Sequence, residues 1–256
     1  MIKKSNGERV FGIFNTLFMI FMIVITFYPF LHVLFASFSD SNLLMRHRGA
    51  LLHPLGFNIE AYIMVFKNPN IYTGYITTLI VLFVGTFFSL LMTSNGAYIL
   101  SRKKFPLRNF LMGMVIITMY VSGGMIPRYL MIYNTLNMKD SLWALILPSA
   151  ISTSNLIVMR TNFQQIPDSL EESAKIDGAN DIIVLLRIIL PLSLSIIAVM
   201  VLFYSVNYWN SWFNASIFLT TKTKFPLQLI LREILVENQT NDMIVGVDIE
   251  SVNSVS

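Results

Sequence analysis

The sequence has no cysteine and very little charge. The first absence excludes disulfides, thiolate metal sites and cysteine nucleophiles. The second excludes more. Asp, Glu, Lys and Arg make up 12% of the 256 residues, against about 25% in an ordinary soluble domain. Hydrophobic residues make up 55% and mean hydropathy is +0.65. Too little polar surface is left to coat a water-soluble globule, so a soluble enzyme, a disordered protein and a nucleic-acid binder all drop out. The few charges are also unevenly placed: the stretches 10–39, 68–101, 109–127, 141–159 and 188–221 hold none. What is there instead is a series of long apolar runs. They mark an all-α integral membrane protein that crosses the bilayer several times.

A spanning helix needs about 20 mainly apolar residues at 1.5 Å rise each. Five segments satisfy this: Val10–Phe35, with Pro29 expected to kink its outer end, Tyr72–Leu100, Phe110–Ile126, Leu142–Met159 and Ile188–Phe213. The third and fourth are barely long enough. They carry Gly123, Gly124 and Pro148, so they are expected to face protein, where a broken backbone can be satisfied. The run after Lys3, Lys4 and Arg9 is too long for a signal peptide and no cleavage-site pattern follows it. Orientation comes from Ser101–Arg108, which holds Arg102, Lys103, Lys104 and Arg108 and no acid. Basic loops stay in the cytoplasm, so residues 1–9 and 160–187 are expected inside, and 37–71, 128–140 and 222–256 outside. Within 37–71 a short interfacial helix is expected at Ile59–Phe66, capped by Asn58.

The chemistry concentrates in 164–187. Pro167 blocks an upstream helix. Asp168 followed by Glu171 resembles a capping box, Glu171 and Lys175 have i,i+4 spacing, and Gly178 suits a left-handed helix end. A second helix is expected from Asp181 through Arg187 into the membrane. Five carboxylates without a histidine suit a solvated docking surface better than an acid/base site, and small Ser173 and Ala174 allow another protein to approach closely.

These residues resemble the EAA loop of ABC-importer permeases, whose pattern is E-A-A, three residues, G, nine residues, I-x-L-P. Glu172, Ala174, Gly178, Ile188, Leu190 and Pro191 match at full spacing, and Ser173 replaces the middle alanine. Tyr28-Pro29-Phe30, Ala97-Tyr98, Ser122-Gly123-Gly124-Met125-Ile126-Pro127 and Asn207-Tyr208-Trp209-Asn210 are similar to the oligosaccharide and polysaccharide branch. The resemblance implies a multi-helix ABC-importer permease bundle over 10–221, in a bacterial inner or plasma membrane, with its N-terminus cytoplasmic. It implies a second permease subunit, a cytoplasmic ABC ATPase dimer docked on the EAA loop, an extracellular solute-binding protein and an oligosaccharide substrate. It also implies six spans where five are visible, so a sixth C-terminal span is expected to be missing after 222–256. That leaves a truncated, non-transporting scaffold as the alternative reading, with a membrane-embedded enzyme built on Asp168–Asp181 behind it.

Asn207, Tyr208, Trp209, Asn210 and Trp212 are candidate sugar-pathway residues, since sugars stack on aromatic rings and hydrogen-bond to amides. The competing reading is an interfacial aromatic belt, although clustered amides are too polar to face lipid. His32 is the one histidine in a span, and an ion-driven carrier would show several intramembrane ionisable groups. The scattered methionines read as adaptable packing. No P-loop is present, so ATP hydrolysis falls to a separate subunit. No metal and no cofactor is expected. Asn238-Gln239-Thr240 matches a glycosylation sequon that carries no weight by itself.

Overall fold

The computed structural model describes residues 6–121 and 123–236. Expectations resting on Lys3, Lys4, Ser122, Asn238-Gln239-Thr240 and the remainder of 237–256 lie outside the described residues. The chain divides into two compact units, 1–69 and 70–256. Among the described residues the elements are helical, apart from one isolated bridge between Ser39 and Phe57.

In the first unit, helix α1 (Asn6–Ser37) runs without interruption through Pro29. At 1.5 Å per residue it is about 48 Å long, ample for a bilayer crossing. Helix α2 (Ser41–Arg46) is capped by Asp40, whose side chain accepts from Asn42 N and Leu43 N. The Ser39 hydroxyl ties the segment together, donating to Phe35 O at 2.6 Å and accepting from Leu55 N at 2.9 Å. Phe38 stacks on Phe57 and on Tyr62. Helix α3 (Glu60–Lys67) forms where an interfacial helix was expected, but Ile59 occupies the cap position. Asn58 is one residue too early and instead closes a local turn by accepting from Glu60 N at 2.8 Å. His32 has a local partner in Tyr28, 3.1 Å away, and Tyr28 also accepts from Leu51 N. That pairing gives the histidine a structural use.

The second unit is organised by α4 (Pro69–Ser101). Its pattern inverts that of a soluble helix. Gly74, Thr78, Val81, Gly85, Ser89, Thr93 and Ala97 are buried, whereas Phe83 and Phe87 on the other side are exposed. Small residues let helices approach closely when lipid tails are as apolar as leucine. The hydroxyls reach α12 (Leu194–Trp209). Thr86 lies 3.3 Å from Ser205, Ser89 lies 2.8 Å from Tyr208, and Thr93 lies 2.6 Å from Tyr204. Tyr208 donates in turn to Ile146 O at 3.2 Å, and Tyr204 accepts from Ser152 N at 3.2 Å. One seam of three side-chain pairs and two side-chain-to-backbone bonds thus joins α4, α12 and the segment 146–152.

Two expected spans are bent and one is broken. Helix α5 (Arg108–Tyr120) is followed by α6 (Met125–Leu130) and a π-helical turn at Met131–Thr135. Gly124 between them has φ +79° and ψ 176°, an extended positive-φ conformation that costs other residues about 1–3 kcal/mol. The expected fourth span, Leu142–Met159, is not one helix. It is α7 (Trp143–Ile146), a 3₁₀ turn at Leu147–Ser149 and α8 (Thr153–Phe163). Pro148 cannot donate to the helix ladder, and Ser152 starts afresh by capping Asn155 N. The fifth is also divided: Asp181–Leu192 and Leu194–Trp209 meet at 88°. Among the described residues two helices are long and apolar enough to cross a membrane, or up to four if each bent pair counts as one crossing.

The segment after Thr221, expected to lie outside the membrane, is helical in part. A 3₁₀ turn at Lys222–Lys224 leads into a helix over 227–236. Leu227, Leu229 and Ile230 are buried, and Leu227 N donates to Thr78 Oγ1 at 2.9 Å. This helix covers α4 at Gly74, where any Cβ would meet Ile230 and the Leu227 backbone.

Gly85 sits under the Tyr208 ring, and a Cβ there would lie 2.8 Å from its nearest atoms. The ring is held on both sides, so it cannot retreat cheaply. Gly85→Val should therefore lower stability by about 1–3 kcal/mol, read as a drop in the thermal midpoint of the protein in detergent.

Candidate functional site

The acidic segment forms a helical hairpin. Helix α9 (Asp168–Ile176) begins directly after Pro167, which holds the cap position without a side-chain bond. The expected capping box of Asp168 and Glu171 does not form. Both carboxylates are drawn to cations instead, because a charge-assisted pair outcompetes a neutral amide donor. Gly178 has φ +84° and ends α9 as expected. Asn180 then caps α10 (Asp181–Val184) by accepting from Ile183 N at 2.9 Å. A π-helical turn at Leu185–Ile189 and the short α11 (Leu190–Leu192) lead back toward α12.

The hairpin lies against the basic loop that follows α4. Arg102 Nη1 donates to Glu171 Oε2 at 3.0 Å. Lys103 meets Asp168 and Lys104 meets Glu172, both at 3.2 Å. Within the hairpin Lys175 bridges Glu171 and Asp181, each at 2.8 Å. These residues surround a cleft of about 580 Å³ with Asn95, Tyr98 and Leu185 on its walls. The two short bonds, to Asp181 first and then to Glu171, hold the Lys175 ammonium well above the usual lysine range. A raised lysine pKa means that the stabilisation is complete at neutral pH and is lost only as pH rises through that higher value.

The candidate docking residues distribute around this hairpin. Glu172, Ser173 and Gly178 are exposed, and Ala174 is half-buried. Ile188 and Leu190 are half-buried in the return segment, and Pro191 is exposed. Ile176, not among the expected docking residues, is 86% exposed at the tip. Nothing in the sequence showed that Arg102 and Glu171 would meet, since they lie 69 positions apart. The clue was the charge balance, a purely basic loop and a mainly acidic segment assigned to the same side of the membrane.

The candidate pathway residues do not share one face. Tyr208 is buried in the seam with its hydroxyl engaged on both sides. Trp209 makes an edge contact with Tyr75, and Trp212 carries the Arg232 guanidinium 3.6 Å above its ring. Asn210 donates to Val206 O one turn back. Asn207 alone opens into a cleft, of about 480 Å³, beside Ser149, Ser152 and Asn155.

At the opposite end of the connecting loops, Asp140 clasps the chain after α13 (Trp212–Phe218). It accepts from Thr220 N, Thr221 N and Thr221 Oγ1, and pairs with Lys224 Nζ at 2.7 Å.

Residues 85–246 match the model of the family described as binding-protein-dependent transport system inner membrane component. The chain belongs to this family. The permease is 42% identical to the polygalacturonan/rhamnogalacturonan transport system permease protein YtcP of Bacillus subtilis (strain 168), over 90% of its own length and 79% of that protein. It is 41% identical to protein LplC of the same organism, over 91% and 78% of the two chains. It is 30% identical to the inner membrane ABC transporter permease protein YcjP of Escherichia coli (strain K12), over 83% and 77%. Among solved structures it superposes with a TM-score of 0.88 on a chain of a bacterial ABC transporter that imports the acidic polysaccharide alginate. There the identity is 29% and the coverage 93% and 84%. The permease is accordingly an all-helical, membrane-embedded transport subunit. Neither the scaffold reading nor the enzyme reading gains support from these relatives, and the carboxylates of α9 that an acid/base site would need are committed to ion pairs.

The clasp gives a pH prediction. Bonds from Lys224, then Thr221 and Thr220, hold the Asp140 carboxyl well below the usual carboxylate range. A depressed pKa contributes stability that is fully present above the unfolded value of about 3.9 and is lost as pH falls through the folded value. The permease should therefore exceed its Asp140→Asn variant in thermal midpoint by a constant margin from pH 6 to pH 8 (about neutral conditions). That margin should shrink steadily below about pH 4.

Proposed function

We propose that the permease is a membrane subunit of an ATP-driven oligosaccharide importer and that the α9–α10 hairpin is its docking element for a separate ABC ATPase. The observation that carries this reading is the hairpin tip. Glu172, Ser173, Ile176 and Gly178 stand exposed at the end of a short helical turn, while ion pairs tie the base of the hairpin to α4. A large apolar side chain left in solvent beside a glycine and a serine suits a cleft on another protein. Docking residues further along, Ile188, Leu190 and Pro191, carry the hairpin into the membrane bundle.

The substrate class follows from the relatives, whose names specify polygalacturonan/rhamnogalacturonan and alginate. Asn207, with Asn155, Ser149 and Ser152, offers amide and hydroxyl groups suited to sugar hydroxyls. Polar groups of this kind are tolerated at membrane depth only where they meet water, ligand or other protein. A second permease subunit would supply the other wall of the path, and an extracellular solute-binding protein would deliver the sugar. The ATPase dimer and the basic loop Ser101–Arg108 lie on the cytoplasmic side, together with the N-terminus.

The test uses the complex reconstituted with its ATPase, partner permease and binding protein. Gly178 has open space around it, so a side chain placed there meets the docked partner and not the permease itself. Gly178→Glu should cut substrate-stimulated ATP hydrolysis by about tenfold or more. Gly178→Asn, which accepts the left-handed backbone, should retain most of it. Undiminished stimulation in Gly178→Glu would sink the docking assignment.

A further inference from the structure

We infer that Arg102 is the positioning residue that makes the hairpin move as one body with the ends of α4 and α8, and so sets how much ATPase motion reaches the membrane helices. The inference rests on the docking reading above and adds a residue outside the EAA pattern.

Three elements meet at this one guanidinium. Nη1 donates to Glu171 Oε2 of α9 at 3.0 Å, Nη2 donates to Phe163 O at the end of α8 at 3.1 Å, and Nε donates to Ser101 Oγ of α4 at 3.0 Å. The same group lies over the Tyr98 ring, 5.0 Å from its centre. Arg102 and Glu171 side chains are each only 12% exposed. The neighbouring pairs are different in kind: Lys103 is 80% exposed and its partner Asp168 57%. Exposed pairs of that sort hold little, whereas a shielded guanidinium with three separate partners fixes geometry. From Glu171 the ionic chain continues through Lys175 to Asp181 at the start of α10. Both helices of the hairpin are thus tied to a single side chain at the end of α4.

That end of α4 also leads into the hydroxyl seam with α12. A push on the hairpin therefore has a stiff route into the bundle through Arg102 and a soft one through the exposed lysines. Lysine cannot replace the arginine, because its three donors sit on one rotatable nitrogen and cannot span the separate positions that Nε, Nη1 and Nη2 reach.

The experiment measures sugar taken up per ATP hydrolysed in proteoliposomes holding the full complex. Arg102→Gln should lower that ratio by about tenfold while the ATPase still co-purifies, because the exposed tip is untouched. Arg102→Lys should give an intermediate loss, and Lys103→Gln should match the parent chain. If Arg102→Gln does not assemble, Arg102→Lys carries the test. The absence of native cysteine permits a second readout from spin labels at Leu107→Cys and Ser169→Cys. Their distance distribution should broaden when Arg102 is changed. An unchanged uptake-to-hydrolysis ratio and an unchanged distribution in Arg102→Lys would overturn the inference. If Gly178→Glu abolishes stimulation while the Arg102 variants remain coupled, only the positioning role fails. If Gly178→Glu remains stimulated, the docking reading itself has failed.

Discussion

Hydrocarbon offers no hydrogen-bond partner, and the arrangement of the second unit follows from that. The hydroxyls that α4 buries against α12 find another group of the protein, because an unsatisfied one costs several kcal/mol; Tyr98 Oη, further along α4, is buried without a partner. Ser89 and Thr93 answer to Tyr208 and Tyr204, and the tyrosines in turn answer to Ile146 O and Ser152 N. The tyrosine rings need room against α4, and Gly85 provides it under Tyr208. The broken segment 142–163 tolerates its interruption for the same reason. Ile146 O and Ser152 N, freed by the break between α7 and α8, face tyrosine hydroxyls.

At the end of α4 the rules change, because water is near and charge is affordable. Here the basic loop and the hairpin exchange ion pairs of graded exposure, from the shielded Arg102–Glu171 pair to the exposed Lys103–Asp168 pair. The turn of the hairpin, at Ile176 and Gly178, lies beyond these pairs. Exposed Ile176 and left-handed Gly178 stand at the turn, while the carboxylates nearer the base are neutralised. Structure and proposed role divide along that line: the base is fixed to the bundle, and the tip is available to a partner.

The hairpin itself was legible in the sequence, since Pro167, Gly178 and the Glu171–Lys175 spacing are local signals and all three act locally. The aromatic cluster after Tyr204 was less legible. Asn207, Tyr208, Trp209, Asn210 and Trp212 look alike as a string, yet Tyr208 turns into the core and Asn207 into a cleft. Their positions around α12 depend on where α4 and the segment 146–152 lie. The misplaced caps have a similar origin. Asp168 is a good cap in isolation, but lysine and arginine from a loop some 65 positions earlier compete for its carboxylate and for that of Glu171.

The scarcity of charge, by itself, determined that the chain lives in a membrane. The placing of the few charges set the expectation of which segments leave the membrane and which one carries the docking pattern. Those conclusions need only composition and short-range spacing, because burial in lipid and helix capping act on consecutive residues. The tertiary structure alone decided that the fourth apolar stretch is broken, that 227–236 folds back onto α4, and that Arg102 gathers three elements at one point. Each depends on groups far apart in the chain satisfying one another, and a linear pattern carries no record of which partner a buried hydroxyl or guanidinium will find.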